Sequence, residues 1–484
     1  MGLVRNVTKN ALSVGTVQIL SQISTFILSI YLARYLGSEN YGAYTLAFSM
    51  ASLVFLIADF NLGFQMVVEV APNKDRAPQY LTNTLFLRTV LGGVALAVTF
   101  IIVVIEGLPA TVSYAIMIIA LATAFNWLYQ SFTAMNTSFE KMHLTLLASA
   151  IERLFTVTTA ITMVVLGFGL DAVVMVVLAG SILQFALGYL VCSRRVTKPA
   201  RRPDLGQAAR QLKGAVPYAV MNVFIVSLYS VNAILLQLIV FWSTGDHSVA
   251  LTATGMYNVS FNMATALIAI PNVLITSLLP VVSRMYHSSV GMTQMMQQKV
   301  MKYMFIIGLP MAVGGVVLAD KIVLLFYGPE YTPSIMVFRI LIPAVAISFF
   351  DSGMGSVLAS ARRTHLITIA NGIGALVNVV LCLALIPYFQ QDGAALAFTT
   401  AYLVLVAGTF YFLRTKVFEI DIVDILFKPL IAAGGMGAVL MLFVGMNLFV
   451  LIALGVVVYF GLIYVLKAID HDDVNILTKV LKKT

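Results

Sequence analysis

The sequence predicts an all-α polytopic membrane protein with about fourteen transmembrane helices, arranged as two pseudo-symmetric six-helix lobes followed by two C-terminal helices. Three observations carry this reading. Of 484 residues, 60% are hydrophobic and only 10% charged, against roughly 25% charged in soluble domains. Apolar segments of about twenty residues, enough to cross a bilayer, recur from end to end between short polar breaks. Lysine and arginine gather on every second break, the asymmetry that holds loops on the cytoplasmic side.

The first segment, 11–33, follows Arg5 and Lys9 and exceeds the roughly 7–15 apolar residues of a signal peptide, so it reads as a retained span. Breaks at charges, proline and glycine then delimit 42–71, 81–105, 109–135, 145–168 and 170–192, which complete a first lobe over residues 1–193. The densest basic stretch, Arg194 to Lys213, forms a linker over 194–213. Segments 214–240, 251–280, 300–319, 333–359, 364–387 and 392–413 make a second lobe over 214–413. Residues 414–484 supply two further spans, 425–446 and 447–466, divided by the Gly445-Met446-Asn447 turn, and a tail mixing Asp470, Asp472 and Asp473 with Lys479, Lys482 and Lys483. With both termini cytoplasmic, Arg34 and Lys321 are the basic residues of the outer loops, and Arg88, Arg153 and Arg339 fall within spans. The other basic residues, Arg284 and Arg362 among them, lie on the inner side.

A repeat supports the two-lobe division. Gly42-Ala-Tyr-Thr-Leu-Ala-Phe-Ser-Met-Ala-Ser52 aligns with Gly255-Met-Tyr-Asn-Val-Ser-Phe-Asn-Met-Ala-Thr265, with Gly, Tyr, Phe, Met and Ala in register. Six spans per repeat give both halves the same orientation, related by an axis along the membrane normal, with a substrate path between them.

The net charge of +9 is explained by topology and anionic lipid headgroups, not by nucleic acid. Cys192 and Cys382 lie far apart in apolar segments, so neither a disulfide framework nor a metal cluster is expected. Catalytic and nucleotide-binding motifs are missing, which argues against an enzyme and an ATP-driven pump. No cofactor or metal is therefore expected.

Ionisable groups at lipid depth are costly and face a bundle interior or wet cavity. Asp59, Arg88, Glu152, Arg153, Arg339 and Asp351 are such groups, with Arg34 at the outer end of the first span. Guanidinium grips phosphate oxygens bidentately and stays charged, so Arg34, Arg88, Arg153 and Arg339 are candidates for holding an anionic headgroup. Charge pairing, such as Arg88 with Asp59, and snorkelling of Arg34 and Arg339 are the structural alternatives. Asp59, Glu152 and Asp351 are candidates for charge pairing or for coupling to Na⁺ or H⁺; Glu152 and Arg153, about 100° apart on a helix, cannot both face one seam. Pro217, Pro271, Pro310 and Pro343, with Gly92-Gly93 and Gly314-Gly315, either hinge their helices or permit close packing. Gln18, Ser21, Gln22, Ser24 and Ser29 form a polar stripe on the first helix.

Several stretches resemble the polysaccharide-biosynthesis and oligosaccharide flippases of the multidrug/oligosaccharidyl-lipid/polysaccharide (MOP) superfamily: Tyr31-Leu-Ala-Arg-Tyr-Leu-Gly-Ser-Glu-Asn-Tyr-Gly42, Ala58-Asp-Phe-Asn-Leu-Gly63, Leu278-Leu-Pro-Val-Val-Ser-Arg284, Leu325-Phe-Tyr-Gly-Pro-Glu-Tyr331 and Asp392-Gly-Ala-Ala-Leu-Ala397. The resemblance implies a fourteen-helix flippase of the cytoplasmic membrane that moves polyprenyl-(pyro)phosphate-linked oligosaccharide between leaflets by alternating access, with a cationic cavity. It also implies coupling to Na⁺, H⁺ or the membrane potential, and glycan assembly enzymes as partners. Two departures stand out: Asn232 where many relatives carry an acidic residue, and an outer loop, Trp242 to Ala250, that reads as longer than usual. A small-molecule exporter of the same superfamily and a non-transporting scaffold of a glycan assembly complex are the alternatives.

Overall fold

A computed structural model describes residues 2–286, 290–361, 363–417 and 422–468. Side chains are described outside 2–20, 272–293 and scattered further positions, so Arg5, Lys9, Gln18, Pro217 and Arg284 are described as backbone alone. Arg362, Asp470, Asp472, Asp473, Lys479, Lys482 and Lys483 lie outside the described residues.

Helices account for nearly all of the described residues, which include no strand. α1 (Gly2–Asp59) contains the first span and most of the second, bent at Gly37, whose φ of 77° lies in the left-handed region open to glycine. α2 (Leu62–Val70) completes the second span, and α3 (Ala77–Glu106), α4 (Ala110–Ser138), α5 (His143–Val165) and α6 (Leu170–Arg195) complete the first lobe. α7 (Leu205–Thr244), α8 (His247–Tyr286), α9 (Val290–Val317), α10 (Ala319–Tyr327), α11 (Ser334–Leu341), α12 (Pro343–Ser360) and α13 (Thr364–Lys416) form the second. α13 holds two spans joined at Gln390, the one residue inside it with non-helical angles. α14 (Ile422–Leu442) and α15 (Leu448–Val465) pair with each other and pack on α9.

Among the described residues, ten helical stretches are long and apolar enough to cross a membrane, yet their most apolar windows are only 22% to 61% buried. The remaining apolar side chains, such as Val94, Ile101 and Val104 on α3, face outward, a surface stable in lipid and not in water. This is a multi-pass membrane protein.

Within the first lobe α4 and α5 pack on α6, and α1 packs on α4 and α5; in the second, α7 runs along α13 while α12 fills the space between α8, α9 and α13. The lobes meet where α1 lies along α8 and α7. Gly42 and Gly255 bring the two backbones together there: a Cβ on Gly42 would sit 3.0 Å from the Gly255 nitrogen. The seam lies near the end of the molecule that carries the Gly37 bend, the Gly245 turn and the α10–α11 connection, called below the Gly37 end. The 194–213 segment lies at the opposite end and folds back on α3, where Asp204 N–H donates to Asn83 Oδ1 at 2.9 Å and Thr82 Oγ1 donates to the Ala200 carbonyl at 3.2 Å.

Three expectations are corrected. The expected long loop from Trp242 to Ala250 is a two-residue turn, because Gly245 at φ 72° ends α7 and Asp246 leads directly into α8. The expected continuous span 42–71 is broken at Phe60 and Asn61, both at positive φ (51° and 53°). The expected span 333–359 is two helices, α11 and α12, meeting at Ile342 and Pro343. Gly314-Gly315 leaves α9 unbroken and gives close packing, since a Cβ on Gly315 would meet Ile342 Cγ1.

Candidate functional site

The break in the second span sits beside a buried ion pair. Arg88 on α3, 2% exposed, donates from Nη2 to Asp59 Oδ1 at 2.9 Å, and from Nη1 to the Trp127 carbonyl at 2.7 Å and Ser131 Oγ at 2.9 Å. Its Cζ lies 5.6 Å from the Trp127 ring centroid, within reach of a cation–π attraction. Asp59 is the last residue of α1, so one guanidinium ties the end of α1 to α3 and α4. Asparagine tolerates the left-handed region at position 61, whereas Phe60 there is strained. A helix interrupted at membrane depth is tolerated where protein groups surround the freed backbone, and the Asn61 carbonyl accepts from the Phe64 and Gln65 amides at 3.1 and 3.3 Å.

Glu152 and Arg153 on α5 divide between two faces. Glu152, 7% exposed, turns toward α6, accepts from Thr156 Oγ1 at 3.0 Å and lies over Gly180, where a Cβ would be 3.6 Å from its Oε1. Arg153 reaches back only through Nε, 3.5 Å from Glu152 Oε2, with its side chain 35% exposed. Its charge acts on Tyr44 of α1. Among the described residues its two terminal nitrogens have no hydrogen-bond partner.

Arg34 and Arg339 lie at the Gly37 end. Arg34 donates from Nε to the Phe326 carbonyl at 2.7 Å and from Nη2 to the Leu325 carbonyl, satisfying the C-terminal carbonyls of α10. Arg339 on α11 pairs with Asp320 at 2.7 Å in an exposed position. Around Arg34 the lobes are laced together. Ser38 N–H donates to Glu330 Oε1 at 2.8 Å, Tyr331 Oη donates to the Ala33 carbonyl at 2.9 Å, and the Ser29 and Tyr327 hydroxyls share a 2.8 Å bond. Burial, then the neighbouring Tyr41 and Glu330, push the Tyr331 phenol well above the usual tyrosine range, so it remains a neutral donor. Glu330 also places negative charge at the start of the second limb of α1, where the helix dipole favours it.

In the second lobe, Asp351 on α12 is half-buried, acts electrostatically on Tyr229 and Tyr402, and has no ion-pair partner among the described residues. Asn232 on α7 donates from Nδ2 to Asn378 Oδ1 at 3.3 Å and to the Ala394 carbonyl at 3.0 Å, while Asn378 Nδ2 returns a bond to Asn232 Oδ1 at 2.6 Å. A neutral amide pair thus fills the place where the resemblance led one to look for a carboxylate.

The structure brings Asp59 to Arg88 and Glu152 to Arg153, and sets Arg34 beside α10 and Arg339 beside Asp320. It does not gather the four arginines at one point. The sequence reading passed over the Ser38–Glu330 and Tyr331–Ala33 bonds. Gly37 and the Gly328-Pro329 pair, both breaks between spans, were the signal that a tight turn and its partners lay there.

Two helical lobes sharing a membrane thus meet along a near-symmetric seam. The chain belongs to the polysaccharide biosynthesis protein family, whose model matches residues 7–286. Among solved structures it is similar to the lipid II flippase MurJ in an inward closed conformation, with a TM-score of 0.76 at 14% identity, covering 94% of this chain and 97% of that one. It is also similar to an inward-facing multidrug resistance MATE family transporter, with a TM-score of 0.64 at 14% identity, covering 85% and 98%. A MOP superfamily transporter from Pyrococcus furiosus, described as having a binding pocket of reverse polarity, matches with a TM-score of 0.61 at 13% identity, covering 85% and 96%. These likenesses describe the fold. No curated protein sequence matches the chain.

Proposed function

We propose that this membrane protein is a MOP-type transporter, a flippase for polyprenyl-(pyro)phosphate-linked oligosaccharide, acting in the cytoplasmic membrane with both termini inside, for surface polysaccharide or glycan assembly. The observation that carries the substrate class is Arg153, a guanidinium at membrane depth with its terminal nitrogens uncommitted, beside the α1 helix that forms the seam. Such a group binds phosphate oxygens bidentately. Arg88 has its charge met by Asp59, and its role is to hold the broken second span; Arg34 and Arg339 act at the outer mouth.

In this reading the anionic headgroup enters between the lobes and meets Arg153, the prenyl tail stays in lipid, and the lobes rock about the seam so that the Gly37 end opens to the outside. Asp351, unpaired and half-buried, is the carboxylate we assign to coupling with H⁺ or Na⁺. Enzymes of glycan assembly are the partners that would supply and consume such a substrate.

The test is reconstitution into liposomes with a fluorescent prenyl-pyrophosphate oligosaccharide and a membrane-impermeant quencher, beside an uncharged prenyl glycoside. Flipping of the pyrophosphate lipid and not of the neutral one, lost in Arg153→Ala, is the expected result. Equal movement of both lipids, or full activity in Arg153→Ala, contradicts the reading.

A further inference from the structure

A cavity of about 320 Å³ opens between the two lobes at the Gly37 end, where the end of α3 meets the end of α7 and the start of α8. Its lining includes Ile105, Glu106, Gln237, Phe241, Trp242 and His247. Three polar atoms in that lining, Glu106 Oε2, Gln237 Oε1 and His247 Nδ1, are buried with no hydrogen-bond partner. Gln237 is only 1% exposed. The His247 ring is held flat against Phe241, with centroids 3.8 Å apart and 7° between planes.

Buried polar atoms left without a partner cost stability, so three in one cavity point to an occupant. Two of them are acceptors by nature, and His247 Nδ1 is a third when its proton sits on Nε2. No lysine or arginine lines the cavity, so the carboxylate of Glu106 has no countercharge there. The complementary group is a compact cation with three N–H donors, which is a primary ammonium. A quaternary ammonium carries the charge without the donors and would leave all three atoms dry.

The mouth indicates where that ammonium comes from. Trp242 is 70% exposed and Ile105 is 78% exposed, at the ends of apolar spans where tryptophan sits at headgroup level. The outward face of α3 below the mouth, with Val98, Ile101 and Val104, is suited to acyl chains. An exposed indole face also attracts an arriving cation.

We propose that this cavity binds the primary ammonium of an amine-bearing phospholipid headgroup, held by Glu106, Gln237 and His247 with Trp242 at the entrance. Because α3 belongs to one lobe and α7 to the other, the bound lipid bridges the seam. The site is separate from the Arg153 region and is read without any transport.

The test uses the full-length protein in mild detergent and native mass spectrometry with phosphatidylethanolamine, phosphatidylcholine and phosphatidylglycerol of identical chains, and with free ethanolamine. Phosphatidylethanolamine should be retained roughly tenfold over the other two, the worth of one charge-assisted hydrogen bond. Glu106→Gln should abolish the preference, and Trp242→Ala, at an exposed position that folding does not depend on, should reduce it. Free ethanolamine should compete weakly, which assigns the site to a lipid; saturation by free ethanolamine alone, with no lipid preference, overturns the lipid assignment. Equal retention of the three lipids, or an unchanged preference in both variants, overturns the site.

Discussion

Gly42 and Gly255 touch across the lobe seam, and they are each other's equivalents in the internal repeat. The contact is reciprocal. A Cβ on Gly42 would run into the Leu251 carbonyl and one on Gly255 into the Ser38 carbonyl, and Ser38 precedes Gly42 by the same four positions that separate Leu251 from Gly255. When residue i meets j and the counterpart of j meets the counterpart of i, a two-fold axis passes between them. The seam at the Gly37 end is therefore a nearly isologous interface between the two repeat-bearing lobes, closed backbone to backbone.

A methyl group at this crossing has backbone on its other side, so the lobes must part. In the Gly42→Ala, Gly255→Ala double variant, spin labels at the exposed positions Glu39 and Asp246 should move apart relative to the parent in a pulsed electron resonance distance measurement. An unchanged distance distribution would mean that the crossing yields without opening the seam.

The Asp59–Arg88 pair is buried and hydrogen-bonded, so removing one partner strands a charge. Asp59→Ala should destabilise the protein by about 3–5 kcal/mol in detergent unfolding, whereas a combined Asp59→Leu, Arg88→Met variant should recover much of that loss. A double variant no more stable than Asp59→Ala would refute the pairing account.

Glu330 meets the first amide of the second limb of α1. Glu330→Ala removes a cap worth about 1 kcal/mol, which should raise amide exchange across residues 36–42 several-fold, while Glu39→Ala, one residue beyond Ser38 and exposed, should leave it alone. Equal exchange in the two variants would show that the bond contributes nothing to closure.

The Asn232 amide donates to two oxygens, Asn378 Oδ1 and the Ala394 carbonyl. Asn232→Asp would replace that donor with a third oxygen and leave a cation as the natural filler. Its thermal stability should then rise with Na⁺, by about 1.4 kcal/mol at ten times the dissociation constant, with the parent unresponsive. A sodium response equal to that of the parent would place the amide pair outside any latent cation site.

Much of the fold was legible because lipid imposes it. Span lengths follow from the thickness of the bilayer, and the Gly42–Gly255 repeat marked the contact that closes the seam. The break at Phe60-Asn61 was not legible, since Phe60 reads as an ordinary apolar helical residue and Arg88, which fastens the adjacent Asp59, lies 29 positions away in sequence. The stretch Trp242 to Ala250 read as loop because Thr244, Gly245 and Asp246 are turn formers, whereas a single left-handed glycine sufficed. The candidate charges were found by their cost in lipid, but sequence could not say which were already paired. Arg88 and Arg153 look alike in the chain and differ only in what surrounds them.

The measurement that bears most directly on the central claim is flipping of the prenyl-pyrophosphate oligosaccharide by a Glu39→Cys, Pro329→Cys variant before and after treatment with a short bismaleimide. Both positions are exposed and neighbour the Ser38–Glu330 bond, and the native Cys192 and Cys382 are buried. Flipping should be present before cross-linking and lost once the Gly37 end is fastened. Undiminished flipping in the cross-linked protein would contradict movement of the lobes about this seam as the route for the lipid.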